Sequence, residues 1–140
     1  MNSYSVLRSI GLASALAAPP VSLALADNAA PVATVKNLSA DVHIDILSLK
    51  RTENNTVTMQ FILVNDAPGD SGVTASNTRL VDLVGRRRYD VGLEMAEPCS
   101  VPNGGRKLCW VMFGAPPAAT KSVNVQFHGN WPLVSTPISE

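Results

Sequence analysis

From Asp41 onward, apolar and polar residues alternate with the two-residue period of half-buried strands. Val42, Ile44 and Ile46 fall on one side, with His43 and Asp45 on the other. The phase then slips to Leu47 and Leu49, which predicts a β-bulge. Glu53-Asn54-Asn55 supplies a turn, and Val57 to Val64 follows as the clearest strand, with Val57, Met59, Phe61 and Leu63 on one face. Asn65-Asp66-Ala67-Pro68-Gly69-Asp70 is a turn cluster, and polar residues continue to Asn77. Arg79 to Val84 and Tyr89 to Leu93 read as two short strands around Gly85 and three arginines. Leu108 to Phe113, Ser122 to Phe127 and a stretch near Val134 complete the set. No window shows a capped pattern with the 3.6-residue helical period. Short strands separated by frequent turns predict an all-β, antiparallel β-sandwich of about seven strands, with no helix longer than about two turns. Residues 41–140 are assigned to this domain, and residues 27–40 to an N-terminal extension.

The alternation also predicts a core of Val42, Ile44, Val57, Met59, Phe61, Leu63, Val111, Val123, Val125 and Phe127. The strand around Trp110 is apolar on both faces, so the pattern alone leaves its inward face open.

The segment ahead of the strands has a different character. Arg8 is followed by an uncharged apolar stretch from Ile10 to Leu25, and then by Ala24-Leu25-Ala26 before Asp27. A basic start, an apolar centre and small residues at the cleavage positions read as a secretory signal over residues 1–26. Pro19 and Pro20 argue against a spanning helix. Cleavage after Ala26 leaves 114 residues with ten basic and eleven acidic side chains. That balance lacks the basic excess of a nucleic-acid binder. The 46% hydrophobic content argues against a disordered chain. The expected localisation is periplasmic or secreted, with no integral membrane segment after cleavage.

Export places Cys99 and Cys109 in an oxidising compartment. The turn-rich segment between them predicts a disulfide clamping a hairpin-like loop, with a pair of reduced core cysteines as the alternative. A redox site would favour two intervening residues, and a zinc site would need more ligands.

Several segments resemble an uncharacterised family of bacterial secreted immunoglobulin-like β-sandwich domains. They are Ile46-Leu47-Ser48-Leu49-Lys50-Arg51-Thr52 with Thr56-Val57-Thr58-Met59-Gln60-Phe61, then Leu80-Val81-Asp82, Arg88-Tyr89, the Cys99 loop, and Trp110-Val111-Met112-Phe113-Gly114-Ala115-Pro116-Pro117. The resemblance runs from about Asp41 to Ile138. It implies an immunoglobulin-like sandwich with Cys109, Val111 and Phe113 facing inward. It implies no catalytic residue. In that family the domain often precedes an OmpA-like, peptidoglycan-binding domain, and none is present in these 140 residues.

Candidate chemistry is sparse. His43 and His128 lack sequence neighbours that would complete a metal or general-base site. No Gly-x-Ser-x-Gly occurs, and Gly104-Gly105 precedes a strand, which does not suit a phosphate cradle. Asp66 and Asp70 share a turn with Asn65, but their spacing fits no calcium loop. Met59, Met95 and Met112 with His43 and His128 would suit a soft copper carrier, although Met59 sits on a core face. Arg86-Arg87-Arg88 is the remaining feature. It could grip a phosphate, a lipid head group or an acidic patch, or simply be a solvated turn.

These observations favour an exported non-enzymatic binding or structural module of the bacterial envelope. No catalytic residue, cofactor or metal is expected, and the partner is an unidentified envelope or secreted protein. Arg86, Arg87, Arg88, Asn103 and Arg106 are the candidate binding surface. The alternative is a periplasmic inhibitor or immunity-type protein that blocks an enzyme with the Cys99–Cys109 loop, and a metal-binding carrier ranks below both.

Overall fold

The computed structural model describes residues 30–93 and 99–140, so the secretory-signal reading of residues 1–26 lies outside the described residues. In chain order the strands are β1 (Ala33–Lys36), β2 (Val42–Thr52), β3 (Thr56–Asn65), β4 (Ser71–Val73), β5 (Thr78–Asp82), β6 (Arg87–Tyr89), β7 (Val91–Leu93), β8 (Cys99–Val101), β9 (Arg106–Gly114), β10 (Ser122–Phe127) and β11 (Val134–Pro137). The sole helical element among the described residues is a single 3₁₀ turn at Ala75–Asn77. Strands β1-β2-β3-β9-β7 form one sheet and β11-β10-β5-β6 a second, while β4 and β8 form a short ribbon. All pairings between strands are antiparallel.

The fold is thus an all-β antiparallel sandwich, and its core lies between the inward faces of the two larger sheets. Every residue named for the core from alternation is buried. Phe61 from the five-stranded sheet meets Phe127 from the four-stranded one edge to face, with centroids 5.8 Å apart. Cys109, Val111 and Phe113 point inward, which resolves the ambiguity of the Trp110 strand. The predicted bulge is present: pairing of β2 with β3 shifts between Ile46 and Ser48, so Leu49 rejoins Ile44 and Ile46 in the core. In the β2–β3 turn, Asn54 and Asn55 adopt left-handed φ values of 62° and 58°. Asparagine tolerates that conformation better than most side chains.

Four features depart from the sequence reading. Among the described residues there are eleven strands in place of about seven. β1 arises within residues 27–40, read as an extension, because Ala33 to Lys36 pair along Ile46 to His43 and bury Val35. Ser71–Val73, inside a polar run, becomes β4 because Cys99–Val101 offers it an edge. The expected strand Tyr89 to Leu93 is two strands in different sheets, since the chain crosses between layers at Asp90.

The C-terminal segment ties the layers together. Ser139 forms a parallel bridge with Lys50, accepting from the Arg51 N–H and donating to the Leu49 carbonyl. The Arg51 guanidinium donates to the carbonyls of Pro116, Pro117 and Thr120 at 2.7–2.9 Å. Arg51 therefore shapes the β9–β10 connection instead of facing a ligand.

Candidate functional surfaces

Cys99 and Cys109 are joined in a disulfide with Cα atoms 6.0 Å apart. The bridge does not clamp a hairpin, as the sequence suggested. β8 pairs with β4, so the disulfide fastens the β4–β8 ribbon to the inward face of β9. Closing so short a loop is worth a little under about 3 kcal/mol in the chain-entropy model. Urea unfolding of the Cys99→Ala/Cys109→Ala variant should show about that loss. Equal midpoints for oxidised and reduced protein would rule the stabilising role out.

Around this ribbon, the loop at residues 102–105 is held on several sides. Asn65, fully buried at the end of β3, donates through its amide to the carbonyls of Gly69 and Val101, each at 2.9 Å. Its side-chain oxygen accepts the Ala67 N–H. Its backbone accepts from Gly104 N–H and donates to Gly105 carbonyl. Asn103, one of the candidate binding residues, directs its amide to the Ala67 carbonyl. It is a cross-brace between two loops. Arg106 begins β9 and is exposed across from Val64.

Arg86, Arg87 and Arg88 lie at the other end of the sandwich from Asn103. Asp82 pairs with Arg87, leaving Leu83 to Arg86 as the tip of the β5–β6 hairpin. Asp82 Oδ1 accepts the N–H groups of Val84 and Gly85 at 3.1 and 3.0 Å. A Cβ on Gly85 would fall 2.6 Å from Asp82 Oδ2, and Arg86 is left-handed at φ 54°. The tip thus has a defined shape, and all three arginines are exposed.

Among the described residues the histidines and methionines lie on separate parts of the surface or in the core. His43 Nε2 lies 3.5 Å from Asp45 Oδ2, and Asp45 also accepts from the Thr34 hydroxyl. A depression of about 320 Å³ adjoins His43, with Lys36, Asn37 and Asp41 among its walls. Met59 is buried in the core, whereas Met112 alternates to the outer face of β9 and His128 is an exposed loop residue. Met95 lies outside the described residues. Among the described residues, no three His, Cys, Asp or Glu side chains converge as metal ligands, and no helix is long and apolar enough to cross a membrane.

No family model, curated protein or solved structure matches this chain. Its own surface is therefore the guide to function.

That surface has an apolar feature on the outside of the larger sheet. The outer face of the five-stranded sheet carries Leu108, Trp110 and Met112 along β9. Ile62 lies on the same face, across from Leu108 and Asp45, and is buried although it stands outside the core cluster. Trp110 is 41% exposed, opposite Gln60. The signal was present in the sequence as Ile62, which breaks the alternation of β3, and as the two apolar faces of β9.

Proposed function

We propose that the protein is an exported, non-enzymatic binding or structural module of the bacterial envelope that holds a protein partner on its surface. The observation carrying this reading is the Trp110 face. A solvated antiparallel sheet normally turns polar side chains outward. Here a half-exposed tryptophan and Leu108 stand on β9, second from the edge of that sheet, with Gln60 opposite Trp110 on β3 and Asp45, His43 and Lys36 farther across the face on β2 and β1. A large, partly exposed aromatic side chain with apolar neighbours is the kind of anchor found in binding hot spots. The sheet beneath is stiff, since β3 and β9 pair without interruption from Thr56–Gly114 to Val64–Arg106. A rigid surface loses little entropy on association. The disulfide suits an oxidising compartment, and the signal-like N-terminus supports export.

Affinity capture from an envelope extract tests the proposal. The wild-type chain should retain a defined component, and Trp110→Ser should weaken that retention by about thirty-fold or more. The variant should keep its unfolding midpoint, because Trp110 points away from the core. An identical captured set for both proteins, or conversion of a substrate by the purified chain, would overturn the reading.

A further inference from the structure

The most exposed large apolar side chain among the described residues is Val84, 97% exposed, and Leu83 beside it is 60% exposed. Both sit at the tip of the β5–β6 hairpin, at the edge of the four-stranded sheet, and the chain runs directly from them into Arg86, Arg87 and Arg88. Among the described residues, no ion pair or side-chain hydrogen bond engages these arginines. The neighbouring carboxylate, Asp82, accepts the Val84 and Gly85 amides through Oδ1 and makes no ion pair with these arginines. Lys121 and Glu140, at the same end of the sandwich, pair with each other, and Glu140 also pairs with Arg51.

We infer that this hairpin tip docks the protein on an anionic lipid bilayer. Leu83 and Val84 enter the boundary between head groups and acyl chains, while the arginines bind lipid phosphates. Each half of the tip explains the other. Arginines serving only solubility or protection of the sheet edge would need no apolar pair at the apex. An apolar apex alone would be a liability in water. Together they supply the two weak signals, apolar insertion and basic attraction, that reversible membrane association requires. Guanidinium groups bind phosphate oxygens bidentately, and their stems lie along apolar surface while the charge stays in the head-group region. Two small aliphatic side chains cannot anchor a protein by themselves, so the association is reversible and charge-dependent. The Asp82 clamp matters because it holds the tip in shape before any lipid is met.

The inference rests on the proposed envelope role and deepens it, yet the two are tested apart. Protein purified after processing, its N-terminus fixed by mass, is sedimented with phosphatidylcholine vesicles containing or lacking phosphatidylglycerol. Binding is expected only with phosphatidylglycerol and should weaken as salt rises. The variant Arg86→Gln/Arg87→Gln/Arg88→Gln should lose roughly 100-fold in partitioning, about five-fold for each arginine near an anionic surface. Leu83→Ser/Val84→Ser should lose roughly ten-fold or more. Both variants alter exposed groups, so unchanged unfolding midpoints should confirm that they fold. No binding to phosphatidylglycerol vesicles would overturn the inference, as would unaltered binding of either variant. Loss with the arginine variant alone would leave a simple polyanion site and remove membrane insertion. Failure here with Trp110-dependent capture intact would sink only the hairpin inference. Vesicle binding without such capture would sink only the Trp110 reading.

Discussion

Phe61→Ala is expected to cost about 3–5 kcal/mol, read as a shift in the midpoint of urea unfolding. Phe61 is fully buried at the centre of β3, and its ring abuts Phe127 across the layers. Truncation removes the apolar area of the ring and leaves a cavity that the paired backbones on both sides cannot close. β3 is flanked along its length by β2 and β9, so neither neighbour can collapse inward without losing its own ladder. Domains of this size have total stabilities of about 5–15 kcal/mol, so the variant should be only marginally folded at ordinary temperature. A midpoint within error of wild type would mean that Phe61 is not at the sheet–sheet contact.

Asn65→Ala should follow, at about 2–4 kcal/mol, by a different mechanism. No cavity of consequence opens. The Gly69 and Val101 carbonyls lose their donor and the Ala67 N–H loses its acceptor, the bond to Val101 being buried and the other two partly buried. Buried polar groups left without partners bear the desolvation cost in full. Asn65→Asp separates the contributions, because it keeps the acceptor for Ala67 but removes both donors and adds a charge to a buried site. It should be at least as destabilising as alanine. If Asn65→Asp were as stable as wild type, the two donated bonds would carry no weight. Amide exchange should locate the damage in the loops around residues 66–70 and 102–105.

The inner layer of this protein was legible because alternation is a direct consequence of the pleat. Val57, Met59, Phe61 and Leu63 had to share a face, and the slip from Ile46 to Leu49 had to be a bulge if both are buried. Strands that owe their existence to a distant partner were not legible. Ser71-Gly72-Val73 has no strand signal of its own and is extended because β8 pairs with it. The split at Asp90 was hidden for the same reason: Tyr89 pairs with Leu80 while Val91 pairs with Phe113, and nothing within Tyr89 to Leu93 records two separate partners. The candidate surface divides similarly. The three arginines were visible as a run, but the Leu83-Val84 apex depends on the hydrogen bonds by which Asp82 shapes the tip. Asn103 looked free in the sequence, yet it is a brace, because its acceptor lies 36 residues away.

The sheet order also has a consequence in time. β2 and β3 are close in the chain and can pair as soon as Asn65 has been made, but the other side of β3 belongs to β9. At synthesis rates of about 5–20 residues per second, the roughly 40 residues between them take about two to eight seconds. Throughout that interval the Thr56 to Val64 stretch, without a charge or a proline, presents an open edge. Such an edge invites pairing with another chain. The folded domain hides its most adhesive strand in the middle of a sheet, but while it is being made that strand is the one that most needs to be kept from its neighbours.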